Sequence, residues 1–439
     1  MPHYIPHTFK FKKMTDKTIA VVLGGGVGSR LHPLTEHRSK PAVPIVGKYR
    51  LVDIPLSNCI NSNIKKIFVL TMYNSASLNT HISTSYRFDA FSKGFVSVLA
   101  AEQTNESKDW YLGTADAVRQ NMMRYERIEH DTIIVLSGDQ LYKMDLEDLI
   151  NYHHEQDADV TVATIPVVED EATSFGIMKV NGSGVIDDFV EKPSKDEVGK
   201  WQSVLPDEYL KQDKRYLASM GIYVFKRTAM EKLFEERATS NDFGKDIIPY
   251  AVRNKNYKAC SYMYDGYWAD IGTIKSFMEA NLRLTGFLPE FHLYDNEDKI
   301  YTHSRMLAPS KYFGTKITHG LISGGCICHA KEISRCIIGV RSRIGPGTII
   351  RDSIVMGNNY YQSVSDIEQL PDNKLLGIGS DCMIQNAIFD KNVRVGNNVT
   401  IIGGEGLEDS DNDQYCVRDG IIIVKRSAFI ESNTKIGLA

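Results

Sequence analysis

From Ile338 onward an aliphatic residue returns at every sixth position, often followed by glycine: Ile338-Gly339, Ile344-Gly345, Ile350, Met356-Gly357, then Ile378-Gly379, Ile384, Val395-Gly396 and Ile401. A six-residue period fits neither the 3.6-residue turn of an α-helix nor the two-residue alternation of a half-buried strand. It fits a coil whose short sides each carry one aliphatic side chain inward. No such coil can bury its ladder alone, so the units stack into a parallel β-helix. Two irregular stretches, 358–376 and 403–419, break the period and are expected to be loops thrown out of a coil.

Upstream the texture differs. β-branched runs at Thr18–Leu23, Ile67–Thr71, Thr132–Ser137 and Val160–Thr164 alternate with longer polar stretches of helical period, which predicts an α/β layered sheet. In open α/β sheets ligands gather beyond the carboxyl ends of the strands, so chemistry is expected at Gly24 and at Asp139. The segment IKSFMEANLRLT (274–285) predicts a closing helix, with Thr273 as N-cap and Gly286 as its stop. Aromatic, proline-punctuated sequence from Phe287 to Lys311 reads as a linker packed against the rest. The chain therefore divides into an N-terminal extension (1–17), an α/β domain (18–286), the linker (287–311) and the β-helix (312–439).

Composition excludes several classes of function. With 51 basic and 55 acidic residues the net charge is -4, too balanced for a protein that coats nucleic acid. No apolar run approaches the roughly 20 residues that span a bilayer. The first seventeen residues carry Lys10, Lys12, Lys13 and Lys17 with no apolar run behind them, unlike a secretory signal. The seven cysteines are scattered, with no CxxC or Cys/His spacing, which predicts idle or buried thiols in a reducing cytoplasm.

The first chemical motif is Gly24-Gly25-Gly26-Val27-Gly28-Ser29-Arg30-Leu31, directly after a strand. Glycines there let backbone N–H groups approach phosphate oxygens. The motif lacks the GK[ST] ending of a Walker A loop and has Ser29 where a dinucleotide fingerprint needs its third glycine, so it is a phosphate loop of another kind. Arg30 and Lys40 bring fixed cations to it. Asp139 follows the strand ending at Ser137, and Asp270 lies in the turn Tyr267-Trp268-Ala269-Asp270. Each suits a hard cation such as Mg²⁺, and each equally suits a turn or a helix cap.

GGGVGSRLHPLTEHRSKPAVP resembles the signature of the sugar-nucleotide pyrophosphorylases. YRLVDIPLSNCINS from Tyr49, WYLGTADAV from Trp110, SGDQLYKMD from Ser137, FVEKP from Phe189, ASMGIYVF from Ala218 and DGYWADIGT from Asp265 narrow it to the glucose-1-phosphate adenylyltransferases. The resemblance spans nearly the whole chain. It implies a Rossmann-like nucleotidyltransferase domain followed by a left-handed β-helix. The implied reaction is attack of a glucose 1-phosphate oxygen on the α-phosphorus of ATP, with release of pyrophosphate. By the same resemblance Arg30, Lys40 and Asp139 are catalytic, and Asp139 and Asp270 hold Mg²⁺. Leu23, Gly24, Gly25, Gly26, Gln103, Tyr111, Gly113 and Thr114 meet the nucleotide, and Gly176, Glu191, Lys192 and Ser219 the sugar phosphate. Physically, the Lys192 ammonium suits a monoester phosphate and the Glu191 carboxylate suits sugar hydroxyls.

The resemblance also implies a homotetramer, a phosphorylated-metabolite activator and an inhibitor such as AMP, ADP or phosphate. The matching cations are Arg38, Arg50, Lys66, Lys391 and Lys425, expected at the junction of the domains. The chain departs from the family at several points: Met72 for glutamine, Leu112 for arginine or glutamine, Gln140 for histidine, His37 for lysine, and Thr80 for arginine. No cysteine precedes Cys59, so the N-terminal disulfide of plant small subunits is absent. Three other readings stand beside this one: uridylyl or guanylyl transfer, a non-catalytic regulatory subunit, and an acyltransferase β-helix using His319 or His329.

Overall fold

The computed structural model describes residues 14–89, 91–102, 110–370 and 374–438. In the first half, β1 (Thr18–Leu23), β2 (Lys66–Thr71), β3 (Phe95–Ala100) and β4 (Thr132–Ser137) form the parallel part of a mixed sheet, with β1 central between β2 and β4. A short strand β5 (Gln140–Tyr142) follows β4. Next come β6 (Val160–Val167), β7 (Gly176–Val180), β8 (Ile186–Glu191), β9 (Tyr216–Lys226), β10 (Ala259–Met263) and β11 (Trp268–Asp270). β9 runs antiparallel to β4 and extends the sheet through β7 to β8, while β6 pairs with β9 on a second branch. All four sequence-predicted strands are present, buried on both faces as their continuous apolar runs require.

Helices α1 (Asp53–Asn61), α2 (Ala76–Ser85) and α3 (Thr114–Gln120) lie between or after these strands, and α4 (Ile274–Arg283) closes the domain. Thr273 caps α4 as expected, its hydroxyl accepting from Ser276 N–H. The stop is different: α4 ends on Leu284, and Gly286 does not adopt the left-handed conformation of a glycine cap.

The segment 287–311 is packed as expected. Phe291 is buried, Ser57 Oγ accepts from Tyr301 N–H at 2.8 Å, and Tyr86 O–H donates to the Tyr301 carbonyl at 2.9 Å. Of the N-terminal extension, the described part is not loose: Met14–Lys17 is a 3₁₀ turn, Thr15 is buried, and Lys17 lies 3.7 Å from Asp131.

The second half is a parallel β-helix with three inward ladders. Cys328, Ile344, Ile378, Val395 and Ile430 stack in register on one side, and Ile333, Ile350, Ile384, Ile401 and Ile436 on the next. The third side stacks Ile338, Val355, Phe389 and Val424. Every one of these side chains is buried. At the corners Gly345, Gly379 and Gly396 stack so closely that a Cβ on any of them would lie within 2.6 Å of the next coil.

Two sequence expectations need correction. Met356 is not a rung: Val355 takes the inward place, and Met356 faces the α/β half, where Arg38 Nη1 reaches its sulfur. The stretch 403–419 is not simply a loop. Ser410–Asp411 and Tyr415–Arg418 form an antiparallel ribbon on Ile421–Val424. The stretch 358–376 does leave the coil, carrying the short helix Val364–Gln369. One hydrophobic core runs across the junction of the halves, from Leu34, Val43 and Phe277 to Ile337, Ile354 and Ile388. All seven cysteines are free and buried. Among the described residues no helix is long and apolar enough to cross a membrane.

Candidate active site

At the end of β1 the chain turns sharply. Gly24 N–H donates to the Leu70 carbonyl at 2.7 Å, and a Cβ at Gly24 would lie 2.9 Å from that oxygen. Gly28 is left-handed (φ 61°) and leads into the 3₁₀ turn Ser29–Leu31. The turn leaves Arg30 exposed toward the cleft, where its guanidinium comes close to Gly272, beside Asp270.

Lys40 opens a second 3₁₀ turn and is buried. Its ammonium lies 2.6 Å from Asp139 Oδ2 and 3.7 Å from Asp270 Oδ1. The sheet brings these carboxylates together: Asp139 directly precedes β5, and Asp270 stands opposite Gln140 in the β5–β11 ladder. Ser137 Oγ donates to Asp139 Oδ1. Burial pushes the Asp139 carboxyl up, but the Lys40 ammonium and the Ser137 hydroxyl outweigh it and hold the group below its ordinary value. Asp270 goes the other way, raised by burial that the more distant Lys40 does not offset, with repulsion from Asp139 added.

The pair of carboxylates carries one more negative charge than Lys40 neutralises. Two hard oxygen donors from adjacent backbone positions suit a divalent cation completed by phosphate and water. Among the described residues no cluster of three or more His, Cys, Asp or Glu offers an all-protein cage. The donor set therefore fits Mg²⁺ bound together with a phosphorylated substrate.

Beside this cluster lies a cavity of about 330 Å³. Of the residues singled out from the sequence, Leu23, Arg30, Thr114, Gly176, Glu191, Lys192, Ser219 and Asp270 line it together. Glu191 ends β8 opposite Gly176, where a Cβ would lie 2.7 Å from its carboxylate oxygen. Burial, partly offset by Lys192, pushes the Glu191 carboxyl above its usual range. Lys192 is left-handed (φ 51°), its N–H held by the Phe175 carbonyl.

Phe175, Tyr223, Asp242 and Trp268 also line the cavity and had not been singled out. Asp242 gives no periodic signal. It reaches the site because its carboxylate accepts from Thr114 Oγ1 at 3.2 Å and from Lys245 N–H at 3.0 Å.

At the entry of α3, a Cβ at Gly113 would lie 2.3 Å from the Asn241 carbonyl, so only glycine fits there. Tyr111 O–H accepts from Asn121 Nδ2 at 2.9 Å. Neither Tyr111 nor Gly113 is among the cavity's described lining. Met72 stands against Gly25, while Gly26, with nothing near its Cβ position, is open. Gln103 lies outside the described residues.

A family model described as nucleotidyl transferase matches residues 19–286, and a second, described as the GLGC left-handed parallel β-helix domain, matches residues 305–435. The chain belongs to the nucleotidyl transferase family. Its second domain gives it the architecture of the glucose-1-phosphate adenylyltransferase family.

In this nucleotidyl transferase the cations expected at the junction separate. Arg50 and Lys391 line a cavity of about 240 Å³ between the domains, joined by Lys48, Arg305 and Arg341, and no carboxylate is among its described lining. Arg38 is next to this cavity but committed: one guanidinium nitrogen reaches both oxygens of Asp390, at 2.8 and 3.1 Å. Burial, with Arg38, Arg305 and Arg426 adding to it, depresses Arg50 to about 10 despite Asp53. Burial together with Arg38 and Arg305 brings Lys391 down to about 7.

Lys66 does not join them. It sits at the amino end of β2, opposite the carboxyl ends that face the cleft, and donates to the carbonyls of Asp16 and Glu129. Lys425 is paired with Asp411 at 2.7 Å and is not part of the junction cavity's described lining. The coil register sets Phe389 beside Val424, which places Arg426, not Lys425, next to Lys391. His37 is exposed beside Glu36, and Thr80 Oγ1 donates to the Ala76 carbonyl. The acyltransferase candidates find other company: His319 Nδ1 lies 3.3 Å from the Thr285 carbonyl and His329 stacks on Phe313.

Proposed function

We propose that this chain transfers AMP from ATP to α-D-glucose 1-phosphate, giving ADP-glucose and pyrophosphate for glycogen or other α-glucan synthesis. The observation that carries the reading is the Lys40 ammonium shared by Asp139 and Asp270, beside a cavity walled by Glu191, Lys192 and Ser219.

In this reading Lys192 binds the phosphate of the sugar phosphate, and Glu191 accepts hydrogen bonds from its hydroxyls. Gly24, Gly25 and Gly26 let the nucleotide phosphates approach the backbone. A phosphate oxygen of the sugar attacks the α-phosphorus in line with the departing pyrophosphate, so charge grows on the α-phosphate oxygens and on the leaving group. Arg30 and Lys40 stabilise that charge without reorganising. Mg²⁺ held by Asp139 and Asp270 would supply further charge neutralisation and orient the phosphates. Lys40, by keeping Asp139 ionised, keeps that carboxylate ready as a ligand. No protein nucleophile is needed, because the sugar phosphate is itself the nucleophile.

The cationic cavity between the domains supports control by phosphorylated metabolites, with Arg50, Lys391, Arg305 and Arg341 as charge-assisted donors. A homotetramer and a cytoplasmic setting rest on the family resemblance. The intact cluster around Lys40 favours a catalytic chain over a regulatory subunit.

The test is turnover of glucose 1-phosphate with each of four nucleoside triphosphates, read by pyrophosphate release, with and without fructose 1,6-bisphosphate, fructose 6-phosphate or 3-phosphoglycerate. ATP is expected to give the highest kcat/KM and at least one effector to raise it. A preference for UTP or GTP would replace the adenylyl assignment, and no turnover with any of them would remove the catalytic one.

A further inference from the structure

The Lys40 ammonium stands in front of both carboxylates of the candidate metal pair, 2.6 Å from Asp139 Oδ2 and 3.7 Å from Asp270 Oδ1. Asp139 Oδ1 accepts from the Ser137 hydroxyl. Each oxygen of Asp139 therefore carries a donor, and Oδ2, the one left for a cation, is taken by Lys40. The Asp139 and Asp270 side chains are 24% and 27% exposed, so a hydrated ion can reach them from the cleft.

A cation of the size of Mg²⁺ lies about 2.0–2.1 Å from each oxygen that holds it. The ammonium fills the space before an oxygen of each carboxylate, and two cations crowded onto that pair repel each other. One of them has to leave. The ammonium is a single charge on a flexible four-carbon stem and does not neutralise two carboxylates, whereas a divalent cation does.

The stem shows how far the head can travel. Its backbone is fixed, because Ser39 N–H donates to the Asn74 carbonyl at 3.1 Å and Val43 N–H to the Lys40 carbonyl at 3.0 Å. The side chain runs against the glycine loop: a Cβ at Gly28 would lie 3.0 Å from Lys40 Cβ and 3.7 Å from Lys40 Cδ. Rotation about the last bonds of the stem keeps the ammonium within reach of both the carboxylates and the loop.

We propose that the Lys40 ammonium competes with the divalent cation for Asp139 and Asp270, and that Lys40 gives up these oxygens as metal and nucleotide bind and turns to the phosphates beside the glycine loop. The inference rests on the assignment of the two carboxylates to the metal. The exchange belongs to substrate binding, so at the transition state the ammonium is already in place. Lys40 is thereby released for catalysis only in a site that has taken up its metal.

The experiment measures Mn²⁺ binding to the full chain at pH 8 without nucleotide, from the electron paramagnetic resonance signal of free Mn²⁺. Wild type, Lys40→Met, Asp139→Asn and the double variant are compared, and kcat is then measured with Mg²⁺, ATP and glucose 1-phosphate. Lys40→Met should bind Mn²⁺ roughly ten- to a hundredfold more tightly than wild type, at a site that adding Asp139→Asn abolishes. It should nonetheless turn over on the order of 10²-fold more slowly. Structural damage weakens ion binding, so a gain in affinity is a readout that disruption alone does not produce. Equal or weaker Mn²⁺ binding in Lys40→Met, at a site that depends on Asp139, overturns the competition and leaves the metal assignment standing. Mn²⁺ binding indifferent to Asp139→Asn removes the metal assignment and the proposal with it. Unchanged kcat in Lys40→Met overturns the turn toward the phosphates. The Mn²⁺ arms hold whichever nucleotide and sugar the enzyme uses, so a wrong adenylyl assignment does not disturb them. Thermal unfolding accompanies the titrations, and if Lys40→Met does not fold, Lys40→Gln is put through the same comparison under the same criteria.

Discussion

The ion pair between Arg38 and Asp390 ties the catalytic domain to the β-helix, and both side chains are 4% exposed. Removing one partner strands the other as an uncompensated buried charge, which costs about 3–5 kcal/mol. Asp390→Asn should fall in the upper part of that range, because Asp390 also offsets Lys391, which already feels Arg38, Arg305 and Arg50. For a domain of 150–250 residues a kilocalorie corresponds to about 2–4 °C, so either Asp390→Asn or Arg38→Met should lower Tm by roughly 6–20 °C. Replacing the pair together, Arg38→Met with Asp390→Leu, exchanges two desolvated charges for apolar contact beside Met356 and should leave stability within about 1 kcal/mol of wild type or above it. Calorimetry at matched protein concentration on wild type, Arg38→Met, Asp390→Leu and the double variant closes the cycle that measures the coupling, with Asp390→Asn as the isosteric control. Single variants that melt within about 2 °C of wild type, or a double variant as unstable as the two losses added, would refute the claim that this pair is a desolvated link between domains.

Asp139→Asn should fold and lose on the order of 10²–10³ in kcat, because it removes a charge that acts on the developing transition state; kinetics and thermal unfolding on the same sample decide it, and near-wild-type turnover would remove Asp139 from the site. Lys192→Gln should raise KM for glucose 1-phosphate with kcat little changed, since its phosphate contact is alike in ground and transition state; a rise confined to the KM of ATP would move Lys192 to the nucleotide. Lys391, depressed to about 7, is largely neutral at pH 8 in the fold and charged when unfolded, so its linkage makes stability rise with pH between about 7 and its ordinary value, a rise that Lys391→Met should abolish. A phosphate monoester has already lost its second proton there (pKa about 6), so binding beside Lys391 draws a proton onto the lysine, and apparent effector affinity should fall by up to about tenfold per pH unit above 7.

Features set by local backbone demands were legible in the sequence. The cap at Thr273 and the six-residue ladder depend on residues close in the chain or on a strict period, and the structure has them where the pattern places them. Phase errors mark the limit of that legibility. Met356 and Val355 are both apolar neighbours, and only the bend of the coil decides which turns inward. The ribbon within 403–419 carries no periodic signal because its strands are two and four residues long, joined by a turn held by Asn412, whose side chain accepts from the N–H groups of Gln414 and Tyr415.

The cations show most clearly why a residue's type can be read before its role. Lys66, Arg38, Lys391 and Lys425 look equivalent in sequence, since each is a fixed positive charge. What separates them is the acceptor that a distant segment delivers: carbonyls of Asp16 and Glu129 for Lys66, Asp390 for Arg38, and Asp411 from the ribbon for Lys425. The Lys391 ammonium donates to the Met356 carbonyl, and burial together with Arg38 and Arg305 outweighs the neighbouring Asp390, which is why the group is depressed. The coil register then exchanges neighbours by one residue. With Phe389 beside Val424, the acidic Asp390 lies next to Lys425 and the cationic Lys391 next to Arg426. The Lys391 position faces Arg38, Arg50 and Arg305 and lines the junction cavity, while Lys425 is turned to Asp411 and is not among that cavity's described lining.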